Sequence, residues 1–173
     1  MDLSKIPAGR APPWDITVVV EIPMQGDAGA PGHPGNYGFV PKTLMPDGEP
    51  CQALVVGSVS VLPGALLRSR PIGVLGLIGK DGVEATRLLA GPRERLHPFF
   101  AHTTSYRSLP SPLLDQVVDF FVNVEDAGCV GEAGCRRSIR VTRWGDAEEA
   151  AQLVLEAMER HRYEQRGRTD RAG

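Results

Sequence analysis

Three features of the 173-residue sequence predict a β-dominated α+β domain, a small antiparallel barrel or sandwich carrying two helices. Fifteen prolines and twenty glycines interrupt elements too often for a helical bundle. Short β-branched runs recur at fairly even spacing through the first half. After Ser111 the apolar pattern changes to helical spacing.

Residues 15–22, Asp-Ile-Thr-Val-Val-Val-Glu-Ile, are β-branched and bounded by prolines, which reads as a strand. Met24 to Gly35 is Gly/Pro-rich and without period, hence a loop. Further strands are expected at 37–40, 53–57, 65–69, 72–78 and 84–90, and Gly73 and Gly76 inside one run predict a bend or bulge. Pro112 stands at a first helical position, and Leu113, Leu114, Val117, Val118, Phe121 and Val124 then fall on one face. A last strand is expected at 136–144. Asp146, with Glu149 three places on, opens a final helix expected to run to about His161. Residues 1–165 read as one domain and 166–173 as a disordered polar tail.

The composition excludes several classes. A hydrophobic fraction of 42% and a charged fraction of 23% are those of a globular chain. Nineteen basic and twenty-one acidic residues leave a net charge of -2, so no overall field draws nucleic acid or anionic lipid. No apolar run suggests a signal peptide or membrane span, and the cytoplasm is the expected compartment. Cys51, Cys129 and Cys135 lack metal-ligand pairing and read as inert thiols, not as a bridge or a zinc site. His33, His97, His102 and His161 lack the spacing of a metal pair on a helix face. Gly76 to Gly82 fails as a phosphate-binding loop, because its spacing is wrong and Asp81 stands where a Ser or Thr would bind magnesium.

Chemistry concentrates in residues 36–56. There Asp47 and Glu49 flank a glycine in a turn just before a strand, which aims carboxylates at one side of a barrel mouth, although Asp-Gly alone is also an ordinary turn. Ile6-Pro7-Ala8-Gly9, Asp15 through Glu21-Ile22-Pro23, Asn36-Tyr37-Gly38, Asp47-Gly48-Glu49-Pro50, Pro63-Gly64, Arg70-Pro71-Ile72-Gly73-Val74-Leu75 and Trp144 with Asp146 to Ala150 follow in order. In these motifs, spread over nearly its whole length, the chain resembles the soluble (family I) inorganic pyrophosphatases. The resemblance implies a small five-stranded closed antiparallel barrel, OB-like, with two packed helices. It also implies homo-oligomers and a reaction run by several magnesium ions on carboxylates, with basic and tyrosine side chains on the phosphoryl oxygens.

The sequence departs from the family pattern Asp-x-Asp-Pro-x-Asp, keeping the first acid as Asp47, lengthening the second to Glu49 and placing Gln52 at the third. One methylene shifts a carboxylate by about 1.5 Å, beyond the ~0.5 Å tolerance of a catalytic constellation. The short 24–35 loop lacks the family's lysine, glutamate and arginine. Asp81 and Glu84 are offset candidates for two later aspartates, Arg87 stands for a lysine, and Val124-Glu125 replace a Tyr-Lys pair. These departures lead to the expectation of a pyrophosphatase-fold enzyme repurposed for a small organic ligand in the barrel mouth, cyclase- or isomerase-like, with no cofactor. In that reading Asp47 or Glu49 is the general acid or base and Tyr37 donates a hydrogen bond, while Glu21, Gln52, Arg70 and Arg87 bind substrate. The alternatives are a magnesium-dependent diphosphatase with Asp47, Glu49 and Asp81, helped by Glu84, as rearranged ligands, and a non-catalytic assembly module.

Overall fold

The computed structural model describes residues 5–24, 34–79, 82–93, 100, 102–127 and 139–171. Its elements are β1 (Gly9–Ala11), β2 (Asp15–Ile22), β3 (Gly35–Val40), β4 (Cys51–Val56), β5 (Leu66–Ile78), β6 (Glu84–Pro92), α1 (Ser111–Ala127), β7 (Arg140–Gly145) and α2 (Ala147–Arg171), with a 3-10 turn at Tyr106–Ser108 before α1. The sheet order is β1-β2-β3-β4-β6-β5-β7, and an added β2–β5 pairing closes five strands into a ring.

The expected all-antiparallel ring needs one correction. β4 and β6 run parallel, with Ala53 opposite Leu88 and Val55 opposite Ala90. The reason is topological: reversing direction at every step around an odd number of strands cannot return to the starting direction, so a five-strand ring contains at least one parallel pair. The strands expected at 65–69 and 72–78 are one strand, β5, which passes through Pro71 on a register shift between Pro71 and Gly73. A second shift follows Gly76 on the β7 side, so both glycines mark irregularities, as their position predicts. β1 and the 3-10 turn are too short to show a period and were not expected.

Strand alternation separates two apolar faces. Ile16, Val18, Val20, Val40, Cys51, Ala53, Val55, Val74 and Leu88 come from all five ring strands and fill the ring, completed by Ala150, Val154 and Ala157 of α2. The opposite face, with Leu54, Val56, Leu75, Leu77 and Leu89, lies under Val117, Phe120 and Phe121 of α1. Burying each such side chain removes it from water at a gain of roughly 1.5–3 kcal/mol, which docks α1 by the stripe its period predicts.

The Asp146 side chain accepts from Glu149 N at 3.0 Å, the expected cap of α2. This helix continues to Arg171, so the stretch expected to fray after His161 is helical. Arg162 to Arg166 are ordinary helix formers and no proline stops them; the missing apolar stripe concealed the continuation. The thiols Cys129 and Cys135, the histidines His33 and His97, Asp81, and residues 136–138 of the expected last strand lie outside the described residues. No helix among the described residues is long and apolar enough to cross a membrane.

Candidate active site

The β3–β4 hairpin carries the two central acids, and three devices hold it. At its base the Thr43 hydroxyl donates to Val40 O at 2.5 Å and accepts from Cys51 N at 2.9 Å. At its tip Gly48 takes φ +88°, open to glycine at little cost, and donates to Met45 O at 3.0 Å, while Asp47 Oδ1 accepts from Glu49 N at 3.0 Å. Along its flank Leu44 N donates to Ala157 O of α2 at 2.8 Å and Arg160 donates to Leu44 O at 3.3 Å. The turn therefore occupies one carboxylate oxygen of Asp47, and both Asp47 and Glu49 reach the surface.

Behind the hairpin, alternation builds the floor. Gln52 lies opposite Phe39 on β3, and one step before the parallel Ala53–Leu88 pair, so it shares a face with Arg87 on β6. Tyr37, two residues from Phe39, joins that face with 7% exposure. Its ring meets Phe120 and Phe121 edge-on at 5.4 and 5.9 Å between centroids. Glu21 sits at a register shift in β2 between the Val20–Gly38 and Ile22–Tyr37 pairs. Gly38 is obligatory there, since a Cβ would stand 1.9 Å from Val19 O.

Asn36 is the site residue whose role sequence reasoning missed. Fully buried, it accepts from Met24 N at 3.0 Å and Val61 N at 3.2 Å through Oδ1, and donates to Val59 O at 2.9 Å. One amide thus ties the segment after Glu21 to the β4–β5 loop. Its place beside Tyr37 and Gly38 was a signal, but its three partners are distant in sequence.

The electrostatics of this mouth are those of an acid cluster. Partial desolvation and then the nearby Glu49 carboxylate hold the Glu21 carboxyl above the ordinary carboxylate range. Burial pushes the Cys51 thiol up to about 12, with Arg87 opposing and Asp47 adding to the rise, so this cysteine stays neutral and both charges lie within electrostatic reach of the hairpin base. The side-chain oxygen Oε1 of Gln52 is buried without a hydrogen-bond partner.

Two predicted residues stand apart. Arg70 lies on β5 opposite Gly91, where burial, then Arg93, lower its pKa and Asp15 raises it. Asp15 opens β2 six residues before Glu21, roughly 20 Å along a strand, so Arg70 does not join Tyr37 and Asp47. Glu84 alternates onto the face opposite Arg87. Asp81, expected as a metal ligand, is not among the described residues.

Among the described residues no three of His, Cys, Asp and Glu cluster closely enough to hold an ion by themselves. Magnesium does not require such a cage: it binds through one or two carboxylates, keeps several waters, and shares substrate phosphate oxygens. Hard oxygen donors at Asp47 and Glu49, an orphaned amide oxygen at Gln52, and the mutual repulsion of Glu21 and Glu49 fit an ion bound in that manner.

A closed five-strand ring with carboxylates at one mouth and an arginine on the adjoining face defines a small-barrel protein. The comparisons make the class specific. The model of the inorganic pyrophosphatase family matches residues 28–162. The chain is 37% identical to an inorganic pyrophosphatase of Caulobacter vibrioides over 93% of this chain and 98% of that protein. It is 35% identical to one of Pseudomonas aeruginosa, covering 91% and 97%. A solved inorganic pyrophosphatase of Coxiella burnetii superposes with a TM-score of 0.74 at 28% identity, covering 90% and 99%. The chain belongs to the inorganic pyrophosphatase family. Full-length relatives at this identity overturn the expectation of a cofactor-free cyclase- or isomerase-like enzyme. Glu49, Gln52, the short 24–35 loop and Val124-Glu125 depart from the family pattern, yet these departures do not take the chain out of a family whose members it matches over nearly its whole length.

Proposed function

We propose that the protein hydrolyses inorganic pyrophosphate to two phosphates with magnesium. The carrying observation is near-complete alignment to inorganic pyrophosphatases; the coupling of Glu21 to Glu49, and a register that puts Tyr37, Gln52 and Arg87 on one face, support the reading. Asp47 and Glu49 would hold the ion, with the Gln52 amide oxygen facing it. When bound, magnesium neutralises phosphate charge and makes water acidic enough to attack at neutral pH. Arg87 orients the phosphoryl oxygens, and Tyr37, fixed by Phe120 and Phe121, presents its hydroxyl to one of them. Glu21, with its raised pKa, holds a proton nearer to neutrality than an ordinary carboxyl and serves the leaving phosphate as acid. A cytoplasmic homo-oligomer is the assembly this reading carries.

Phosphate release from pyrophosphate by the full chain tests the proposal. With magnesium we expect turnover in the usual enzyme range of roughly 1–10³ per second, abolished by EDTA and restored by excess magnesium. Release no faster than the blank across millimolar magnesium would refute it.

A further inference from the structure

The β3–β4 ladder stops at the Val40–Cys51 pair, although residues 41–50 run on beyond it to carry Asp47 and Glu49. The next pair would set Pro41 against Pro50, and neither has an N–H to donate. Lys42 then turns the chain at φ +55°, a conformation that costs a residue with a Cβ and persists only where its surroundings hold it. Immediately after it Thr43 returns to the interior, 3% exposed. Its hydroxyl bridges the two residues of the last pair, donating to Val40 O at 2.5 Å and accepting from Cys51 N at 2.9 Å. Elsewhere in the hairpin, Met45 N to Glu49 O, Gly48 N to Met45 O and Glu49 N to Asp47 Oδ1 close the tip on itself, and Leu44 reaches α2. Thr43 is what joins both arms of the hairpin to the ring strands.

We propose that Thr43 is a positioning residue for the magnesium site: its hydroxyl stands in for the ladder pair that two prolines cannot make, and so fixes the spacing of Asp47 and Glu49 around the ion. Cys51 is two residues from Glu49, and the bond between Glu49 N and Asp47 passes any movement on to the other acid. Carboxylates that share an ion need placement within about 0.5 Å. Without the hydroxyl a buried N–H and a buried C=O lose their partner, and the arms must part or admit water. The inference rests on the metal role proposed above. Because binding is read without pyrophosphate, a protein that takes up a cation but hydrolyses nothing refutes the reaction and leaves the role of Thr43 standing.

Manganese, a hard cation with the same oxygen preference, serves as the probe, its binding to the full chain followed by electron paramagnetic resonance. Valine keeps the shape of threonine and serine keeps the hydroxyl. Thr43→Val should raise the manganese dissociation constant about tenfold, as losses behind a ligand do, whereas Thr43→Ser should stay within about threefold of the native value. In turnover, Thr43→Val should need about tenfold more magnesium for half-activation and recover most of its kcat in excess. Ile16→Val, a core truncation beside Asp15, should lower the urea midpoint and leave manganese binding unchanged. The native protein alone gives a further measurement, since coupling is reciprocal: magnesium should slow hydrogen exchange of the Cys51 amide. Native manganese affinity in Thr43→Val, equal loss in Thr43→Ser or Ile16→Val, or a Cys51 amide indifferent to magnesium would overturn the proposal. So would a native protein that binds no manganese up to about 10 mM, where even a millimolar site fills.

Discussion

The two ends of the ring handle charge in opposite ways. At the far end, burial pushes the Asp15 carboxyl up, but Arg68 and Arg93 outweigh it and hold the group below its ordinary value. At the mouth, desolvation and then the Glu49 carboxylate push the Glu21 carboxyl above its ordinary value, with no arginine to offset them among its causes. A carboxylate matched by arginines stabilises the fold, whereas carboxylates left to repel each other cost stability unless a cation joins them. The difference separates an acid paired within the fold from acids that the proposed reaction leaves for a cation, though all sit on one small barrel.

Removing charge at the mouth should have the largest effect, and on catalysis alone. Asp47→Asn keeps a side-chain oxygen for the Glu49 N–H, so the turn survives. It deletes one unit charge from the ion's surroundings, an interaction of up to about 4 kcal/mol at 4 Å and an effective dielectric near 20. We expect kcat/KM for pyrophosphate to fall by about 10²–10³-fold, with the midpoint of urea unfolding unchanged. Unchanged kinetics would assign Asp47 to its turn.

At the other end the effect should fall on stability. Asp15→Asn leaves Arg68 and Arg93 facing a neutral group. Their side chains are 38% and 34% exposed, so solvent offsets part of the loss, and about 1–3 kcal/mol is expected, with activity retained. The pH dependence has a definite sign. A folded-state pKa below the reference value of 3.8 adds stability above pH 3.8, and that stability is lost as pH falls through the folded value. Urea titrations below and above pH 3.8 should show this acid step in the native protein and its absence in Asp15→Asn.

The same contrast explains what could be read from the chain. The β2 run, the stripe of α1 and the Asp146 cap are local patterns, and each is found where spacing placed it. Joining two expected strands through Pro71 required tertiary pairing at a residue that cannot donate to the ladder; the adjacent register shift accommodates it. The acids Asp47 and Glu49 were legible because their hairpin is continuous in sequence. Arg70 was misplaced because a motif fixes order along a strand but not the end of the barrel at which a residue emerges. Asn36 was opaque in role because its partners lie 12, 23 and 25 residues away.

Glu21 offers the smallest and most discriminating perturbation. Because its folded pKa lies above the reference value of 4.5, the metal-free protein is relatively favoured below pH 4.5 and loses that margin as pH rises through the folded value. Magnesium should reverse the loss by neutralising the Glu21–Glu49 repulsion. Glu21→Gln removes the titrating charge, so the metal-free variant should melt at pH 7 no lower than the native protein, and added magnesium should raise its Tm by less. Differential scanning calorimetry with and without magnesium reads both quantities. A lower metal-free Tm with an undiminished magnesium increment would make Glu21 a structural acid like Asp15 and dissolve the distinction between the two ends; the expected pattern locates the need for a cation at the mouth.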